Sequence, residues 1–464
     1  MISYTRHPAS FKDPSGFIFF HQSTVYRQVN QFYANQYNLL LSSGLYQLLT
    51  NKSYLLPHTE IDLNLSETPE WYKTLLPEQV PFISYPYEWC FNQLKDAALL
   101  TLSILRSAID HGMILKDATP LNVQFVKGRP VFIDTLSFDF YDPTQPWIAY
   151  RQFCECFLFP LYLEFYLKVD IQKIMSTYLD GIPVEITSKL LPIKSGFNLG
   201  VWLHVHLQNS IRSNDKTGKE SVTPFDRKKM MNLVNHLESI IHRFTSTKPA
   251  KSAWSHYYEE TILGKEYLKH KESIFLELTS ELEAQVVLDI GGNDGYFSKI
   301  LSRLGKQVVT VDTDSQSISN LYQYTKKNND PNILPLCIDV TNPSPALGFD
   351  HRERLAFEKR IQPDLVLALA LIHHLVITKN IPFGMIAHYF HSIAPYLIIE
   401  FVPKNDEKVI EMLSNRKDVF SDYTIIQFEI IFEEYFSFIR KQQIKGTGRV
   451  MYLMKRNDKI ENQY

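Results

Sequence analysis

Two stretches of this chain carry residues of the type and spacing that do chemistry. The later one is Val287-Leu288-Asp289-Ile290-Gly291-Gly292-Asn293-Asp294-Gly295-Tyr296-Phe297. An apolar run holding an aspartate leads into glycines at 291 and 295, and a helix is expected from about Tyr296. Such a turn approaches a ligand closely and presents backbone N–H groups at a helix N-terminus. Asp289 can hold either the loop or the cationic group of a ligand. The next apolar run ends at Val311-Asp312. An acid at the tip of a second strand can accept two hydrogen bonds from a ribose diol. The alternative is an ordinary solvent-facing strand-end aspartate, with Asp314 as a neighbour that confuses the position. A dinucleotide pyrophosphate suits the turn badly. The glycines read G-G-x-x-G instead of G-x-G-x-x-G, and Asp294 adds negative charge. Further on, His373 and His374 follow an apolar run, and Glu400 stands near the end of another. Imidazole can take a proton from a nucleophile, and a carboxylate can bind an amine or act as a base. Anchoring or capping of loops is the structural alternative for all three.

These residues need elements to position them. Short, almost continuous apolar runs occur at Val286–Ile290, Gln307–Val311, Ile333–Ile338, Leu365–Leu371 and Tyr396–Phe401, with helical patterns between them. Strands covered on both faces read this way, and the alternation with helices predicts an open α/β domain with a parallel sheet. Two further runs, Tyr435–Ile439 and Val450–Met454, flank Lys445-Gly446-Thr447-Gly448 and predict a closing hairpin. Upstream, Arg212–Thr223 is polar and reads as a surface loop. Met230, Leu233, Val234, Leu237, Ile240 and Ile241 then predict an amphipathic helix within Phe225–Phe244. More helix is expected over Tyr257–Leu282. The division expected is an α+β accessory or substrate-binding domain over residues 1–245 and the α/β domain over residues 246–464.

The later constellation resembles the class I S-adenosylmethionine-dependent methyltransferases, in the run Leu288 to Ser298, Asp312, Cys337-Ile338-Asp339-Val340 and Pro363 to Leu375. The resemblance implies a Rossmann-like seven-stranded sheet whose last strand is antiparallel, with S-adenosylmethionine as cofactor. It also implies that Gly291, Asn293 and Gly295 wrap the methionyl part, with Asp289 at its amino end. Asp312 would hold the ribose, Asp339 would lie near the adenine, and Ala368, in the fourth-strand segment, would also bind the cofactor. His373, His374 and Glu400 would serve the acceptor, and no metal would be required.

The earlier stretch is centred on Asp117-Ala118-Thr119-Pro120-Leu121-Asn122, behind a predicted helix over Asn92–Asp110 and ahead of Pro130-Val131-Phe132-Ile133-Asp134. Over about residues 88–140 it resembles the catalytic core of protein-kinase-like phosphotransferases. That resemblance implies that Asp117 orients a hydroxyl nucleophile and that Asn122 and Asp134 hold magnesium. Leu115-Lys116 and Thr135-Leu136 depart from the usual residues, and no glycine-rich phosphate loop precedes them. A degenerate, kinase-derived domain is therefore expected. Together the two halves resemble a group of bacterial two-part methyltransferases related to nodulation proteins, through His111 to Ala118, Phe132 to Phe138 and Glu400-Phe401-Val402-Pro403. The function implied is methyl transfer to an unidentified acceptor, a small molecule before a nucleic acid. The alternatives are a bifunctional protein with added ATP/Mg-dependent phosphotransfer and a non-catalytic cofactor-sensing protein.

Composition bounds these readings. The 464 residues carry a formal charge of -2, with 45% hydrophobic and 21% charged residues, which is globular and gives no general attraction to a nucleic-acid backbone. No stretch reaches the roughly 20 apolar residues of a membrane span. The first residues lack the apolar core of a signal peptide, and only 4 cysteines are present. A cytoplasmic setting is the expectation. Cys154 and Cys156 read as small buried hydrophobes and not as a metal pair.

Overall fold

The computed structural model describes residues 4–210, 225–245, 265–280, 282–414 and 417–458. The expected loop Arg212–Thr223 and the first part of the expected helix Tyr257–Leu282 lie outside the described residues; the described part of that helix is Lys265–Ser280. The chain forms two compact units, Met1–Lys248 with Ala346–Leu355, and Pro249–Pro345 with Ala356–Tyr464. A single cut in the sequence leaves Ala346–Leu355 with the second half. Tertiary contacts put it in the first unit: Lys12 pairs with Glu353 at 3.0 Å, and the Leu355 N–H donates to the Tyr85 hydroxyl at 2.9 Å.

In the second unit seven strands form one sheet: β10 (Val286–Ile290), β11 (Gln307–Asp312), β12 (Ile333–Cys337), β13 (Leu365–Ala368), β14 (Tyr396–Phe401), β15 (Phe436–Gln443) and β16 (Val450–Arg456). Their order is β12-β11-β10-β13-β14-β16-β15. The strands β10 to β14 pair in parallel, and β16 runs antiparallel between β14 and β15. This is the open α/β arrangement expected from the apolar runs and the Rossmann-like sheet that the methyltransferase resemblance implied. Val287, Leu367, Ile398 and Leu453 pack with Phe275, Leu278 and Phe297 in one buried cluster. The chain leaves β10 in one direction and returns beside it at β13, so the switch point of the sheet lies between these two strands. Ligands of such sheets bind beyond the carboxyl ends at this place.

The run Leu365–Leu371 is not all strand. Ladder pairing stops at Ala368, and Ala370 takes a left-handed φ of 50°, which turns the chain off the sheet. The final hairpin is longer than its apolar core, because Arg440, Lys441 and Gln443 continue β15 with side chains in solvent.

The first unit is α+β. A five-stranded antiparallel sheet comprises β1 (Tyr4–Arg6), β2 (Gly16–His21), β3 (Thr24–Asn30), β4 (His58–Ile61) and β5 (Trp71–Pro77), in the order β1-β2-β3-β5-β4. Helices Ala34–Ser42 and Leu45–Asn51 connect β3 to β4. The helix Phe91–Asp110 buries Leu94, Ala98, Leu102, Leu105 and Ile109, as its apolar stripe requires. After it come two short antiparallel pairs, β6 (Met113–Leu115) with β9 (Phe138–Phe140) and β7 (Val123–Val126) with β8 (Arg129–Phe132). Cys154 and Cys156 are buried, and burial pushes both thiols up to about 12. Among the described residues no helix is long and apolar enough to cross a membrane.

Candidate functional site

The turn after β10 is built from left-handed residues. Gly291, Asn293 and Gly295 have φ of 72°, 51° and 75°, which glycine and, less readily, asparagine adopt. Gly292 has no such φ, yet no larger residue fits. A Cβ there would stand 2.4 Å from Thr310 Cγ2 and 2.8 Å from Asp289 Oδ2. Gly292→Ala is therefore expected to cost about 1–3 kcal/mol of stability. Urea unfolding of the variant measures this, and a loss within experimental error of zero would refute the crowding.

Asp289 lies beneath this turn and not on it. It is buried and accepts from Ser298 Oγ at 2.5 Å, and Ser298 Oγ lies 2.7 Å from Thr310 Oγ1. Burial pushes its carboxyl up to about 6. Its side chain carries the loop from inside, one of the two roles open to it in the sequence. Asp312, at the end of β11, is half-buried at the carboxyl edge. Its Oδ2 accepts the Asn293 N–H at 2.9 Å and its Oδ1 the Asp314 N–H at 2.8 Å. Burial raises its carboxyl above the ordinary value against these backbone hydrogen bonds. Asp314 is the N-cap of helix Ser315–Asn328, which separates the two neighbouring acids by role. Asp339 is half-buried beyond β12. Burial would raise its carboxyl, but hydrogen bonds from the Thr341 hydroxyl and N–H, with Lys379 at 3.4 Å, hold it below the ordinary range. Ala368 is fully buried as the last residue of β13, so the edge is reached by Ala370 and Leu371 instead. Leu371 approaches Gly291 across the switch point: a Cβ on Gly291 would lie 3.2 Å from Leu371 Cδ1.

His373 and His374 lie together, with ring centroids 4.2 Å apart. His373 is fully buried, and neither ring nitrogen has a hydrogen-bond partner among the described residues. Burial, then His374, Arg449 and Lys271, holds it well below the usual imidazole range. His374 is half-buried, and burial takes it down to about 4.

Glu400 stands inside an ion-pair network. It is fully buried, with Oε2 2.7 Å from Lys271 Nζ and Oε1 taking the Tyr267 hydroxyl at 3.1 Å and Arg449 Nη1 at 3.4 Å. Arg449 is bound in turn by both oxygens of Asp406, at 2.7 and 3.0 Å. Lys271 and Arg449 are buried too. Burial would raise the Glu400 carboxyl, but these two cations outweigh it and hold it low. Neither cation was legible as its partner, because each lies far from it along the chain.

Three histidines, half-buried His374 here and half-buried His58 and buried His204 in the first unit, are all taken down to about 4, chiefly by burial. The unfolded chain takes up these protons near the ordinary value of about 6.5, while the folded protein resists until about 4. Their contribution is thus full above 6.5 and is lost as the pH falls through that window, by up to about 3 kcal/mol each. Denaturation midpoints at pH 7, 5.5 and 4.5 should fall in that order; a flat series would contradict it.

The earlier constellation is also built as a cluster. Asp134 pairs with Arg27 of β3 and accepts from Ser137 Oγ at 2.6 Å, and Asn122 Nδ2 donates to the same Ser137 Oγ at 2.9 Å. Asp117 lies on the preceding loop, where burial and then Asp134 raise its carboxyl above the ordinary value.

No protein-family model matches the chain. It is 31% identical over 462 residues to the nodulation protein NoeA of Rhizobium meliloti strain 1021, a match covering 98% of this chain and 96% of that protein. The chain belongs to the NoeA family. That match spans both units. Among solved structures, the N-methyltransferase NodS of Bradyrhizobium japonicum WM9 with S-adenosyl-L-homocysteine aligns with 45% of this chain and 94% of its own, at 12% identity and a TM-score of 0.32. The magnesium protoporphyrin IX methyltransferase ChlM of Synechocystis PCC 6803 aligns with 43% of this chain and 89% of its own, at 18% identity and a TM-score of 0.31.

Proposed function

We propose that the second unit binds S-adenosylmethionine at the carboxyl edge of its sheet, between the ends of β10 and β11 and the switch point at β13, and transfers its methyl group to an acceptor. The observation that carries this is Asp312: a half-buried carboxylate at the tip of the second strand, tied to the glycine turn by the Asn293 N–H. Its oxygens hold backbone N–H groups and keep lone-pair capacity for a ribose hydroxyl. The residues fit the cofactor. The left-handed Gly291, Asn293 and Gly295 give a turn without bulky side chains for the methionyl part, and Asp339 stands at the adenine side with Lys379.

When bound, the cofactor supplies an electrophilic methyl carbon on a cationic sulfur. The chain has to align the acceptor with that carbon and exclude water. His374 borders the same edge as a neutral imidazole and is positioned to accept a hydrogen bond from the acceptor; with its basicity lowered by burial it orients better than it deprotonates. Buried His373 positions His374 from behind. The acceptor is proposed to be a small molecule, since the net charge of -2 gives no general attraction to nucleic acid. The test is calorimetric binding of S-adenosylmethionine to the full chain, followed by S-adenosylhomocysteine release across sugars, amines, phenols and RNA. No binding at millimolar cofactor would end the proposal; binding without turnover on any acceptor would favour a sensing role.

A further inference from the structure

The kinase-like resemblance implies a magnesium ion held by Asn122 and Asp134, and the residues in place do not fit one. We infer that the first unit carries its own cation at this centre: the Arg27 guanidinium neutralises Asp134 in place of a divalent metal, so the unit binds no magnesium–nucleotide and uses the constellation as an internal clasp.

Both Asp134 oxygens are engaged. Oδ1 meets Arg27 Nη1 and accepts the Leu136 N–H at 3.1 Å, and Oδ2 accepts from Ser137 at 2.6 Å. The two paired side chains are only 14% and 15% exposed, so an entering metal would have to displace a guanidinium that has little water to retreat into. Asn122 turns its amide nitrogen, a donor that cannot ligate a cation, to Ser137. No group of three acidic, histidine or cysteine side chains with metal-holding geometry occurs among the described residues.

The phosphate side is closed by the same logic. The segment between β1 and β2 carries Asp13, whose Oδ1 accepts the Ser15 N–H at 2.8 Å. Lys116, the residue before Asp117, lies 3.4 Å from Asp13 and 2.7 Å from Ser15 Oγ. The cation that could meet a phosphate is already paired with a carboxylate, and Asp13 would repel the newcomer. The segment leads directly into β2, whose first residue packs tightly onto β3: a Cβ on Gly16 would stand 2.0 Å from the Gln28 carbonyl oxygen. Arg27 thus ties the sheet of this unit to the loop after β8 through charge, without a metal.

The test uses the full-length protein and does not depend on methyl transfer. Thermal unfolding with millimolar Mg2+ alone and with Mg2+ and ATP should leave Tm unchanged. Arg27→Ala should lower Tm by about 10 °C, because it leaves Asp134 buried and unpaired. The double variant Arg27→Ala with Asp134→Ala should recover more than half of that loss. Should Arg27→Ala fail to fold, Arg27→Lys, which keeps the charge and loses the planar fork, should show a smaller drop of the same sign. A magnesium-dependent rise in Tm with ATP that disappears in Asp134→Asn would overturn the inference. So would an Arg27→Ala protein as stable as the parent.

Discussion

Replacing Asp312 with alanine is expected to weaken S-adenosylmethionine binding about 100-fold, the loss of charge-assisted hydrogen bonds to a ribose diol. The effect is large because the acid is held ready: the Asn293 and Asp314 N–H groups fix both of its oxygens at 2.9 and 2.8 Å before any ligand arrives. The control is the thermal midpoint without ligand. Alanine leaves two backbone donors without their carboxylate, which shifts stability modestly, whereas the ribose role predicts a loss in affinity far beyond that shift. Calorimetry on both proteins measures it. A variant that binds within threefold of the parent removes Asp312 from the ribose site, even if the parent protein binds the cofactor well.

Lys271→Met is expected to destabilise the protein by about 3–5 kcal/mol, as is usual when one partner of a buried ion pair is removed. Lys271, Glu400 and Arg449 have no exposed side-chain surface, and Asp406 has little, so two cations balance two carboxylates away from water. Without Lys271, Arg449 alone faces Glu400 and Asp406, and Glu400 loses the partner that keeps its carboxyl low. Its affinity for a proton then rises, so the deficit relative to the parent shrinks as the pH falls and grows as it rises. Urea midpoints at pH 5 and pH 8 test the sign. Lys271→Met combined with Glu400→Gln should recover part of the loss at pH 8. Equal deficits at both pH values would show that packing and not charge carries the effect.

These two residues also show how far a linear reading reaches. Asp312 and Glu400 look alike in the sequence, each an acid at the end of an apolar run, and the pattern alone allows a ligand-facing role for both. The structure leaves Asp312 half-buried at the sheet edge and closes Glu400 inside an ion-pair network. The difference comes from Lys271, on the helix before the sheet, and Arg449, immediately before its last strand. Asp289 went the same way, underneath its loop, because Ser298 and Thr310 meet it there. His373 is sealed in while His374 reaches the edge, a distinction that neighbouring identical residues cannot display in one dimension. In the first unit, Asp117, Asn122 and Asp134 were legible as a set, but Arg27, on a strand of the opposite sheet, was not.

What the sequence determined by itself was the α/β character of the second unit, the order of its strands and helices, and the glycine turn followed by an acid at the next strand end. Such features follow from local rules: a strand buried on both faces must be apolar throughout, and a left-handed turn selects glycine or asparagine. The tertiary structure alone decided which carboxylates lie at the sheet edge and which face a buried cation, that Ala346–Leu355 belongs to the first unit, and that β13 ends at Ala368. Charge pairing and burial depend on groups brought together from distant parts of the chain, and no local pattern records which of them will meet.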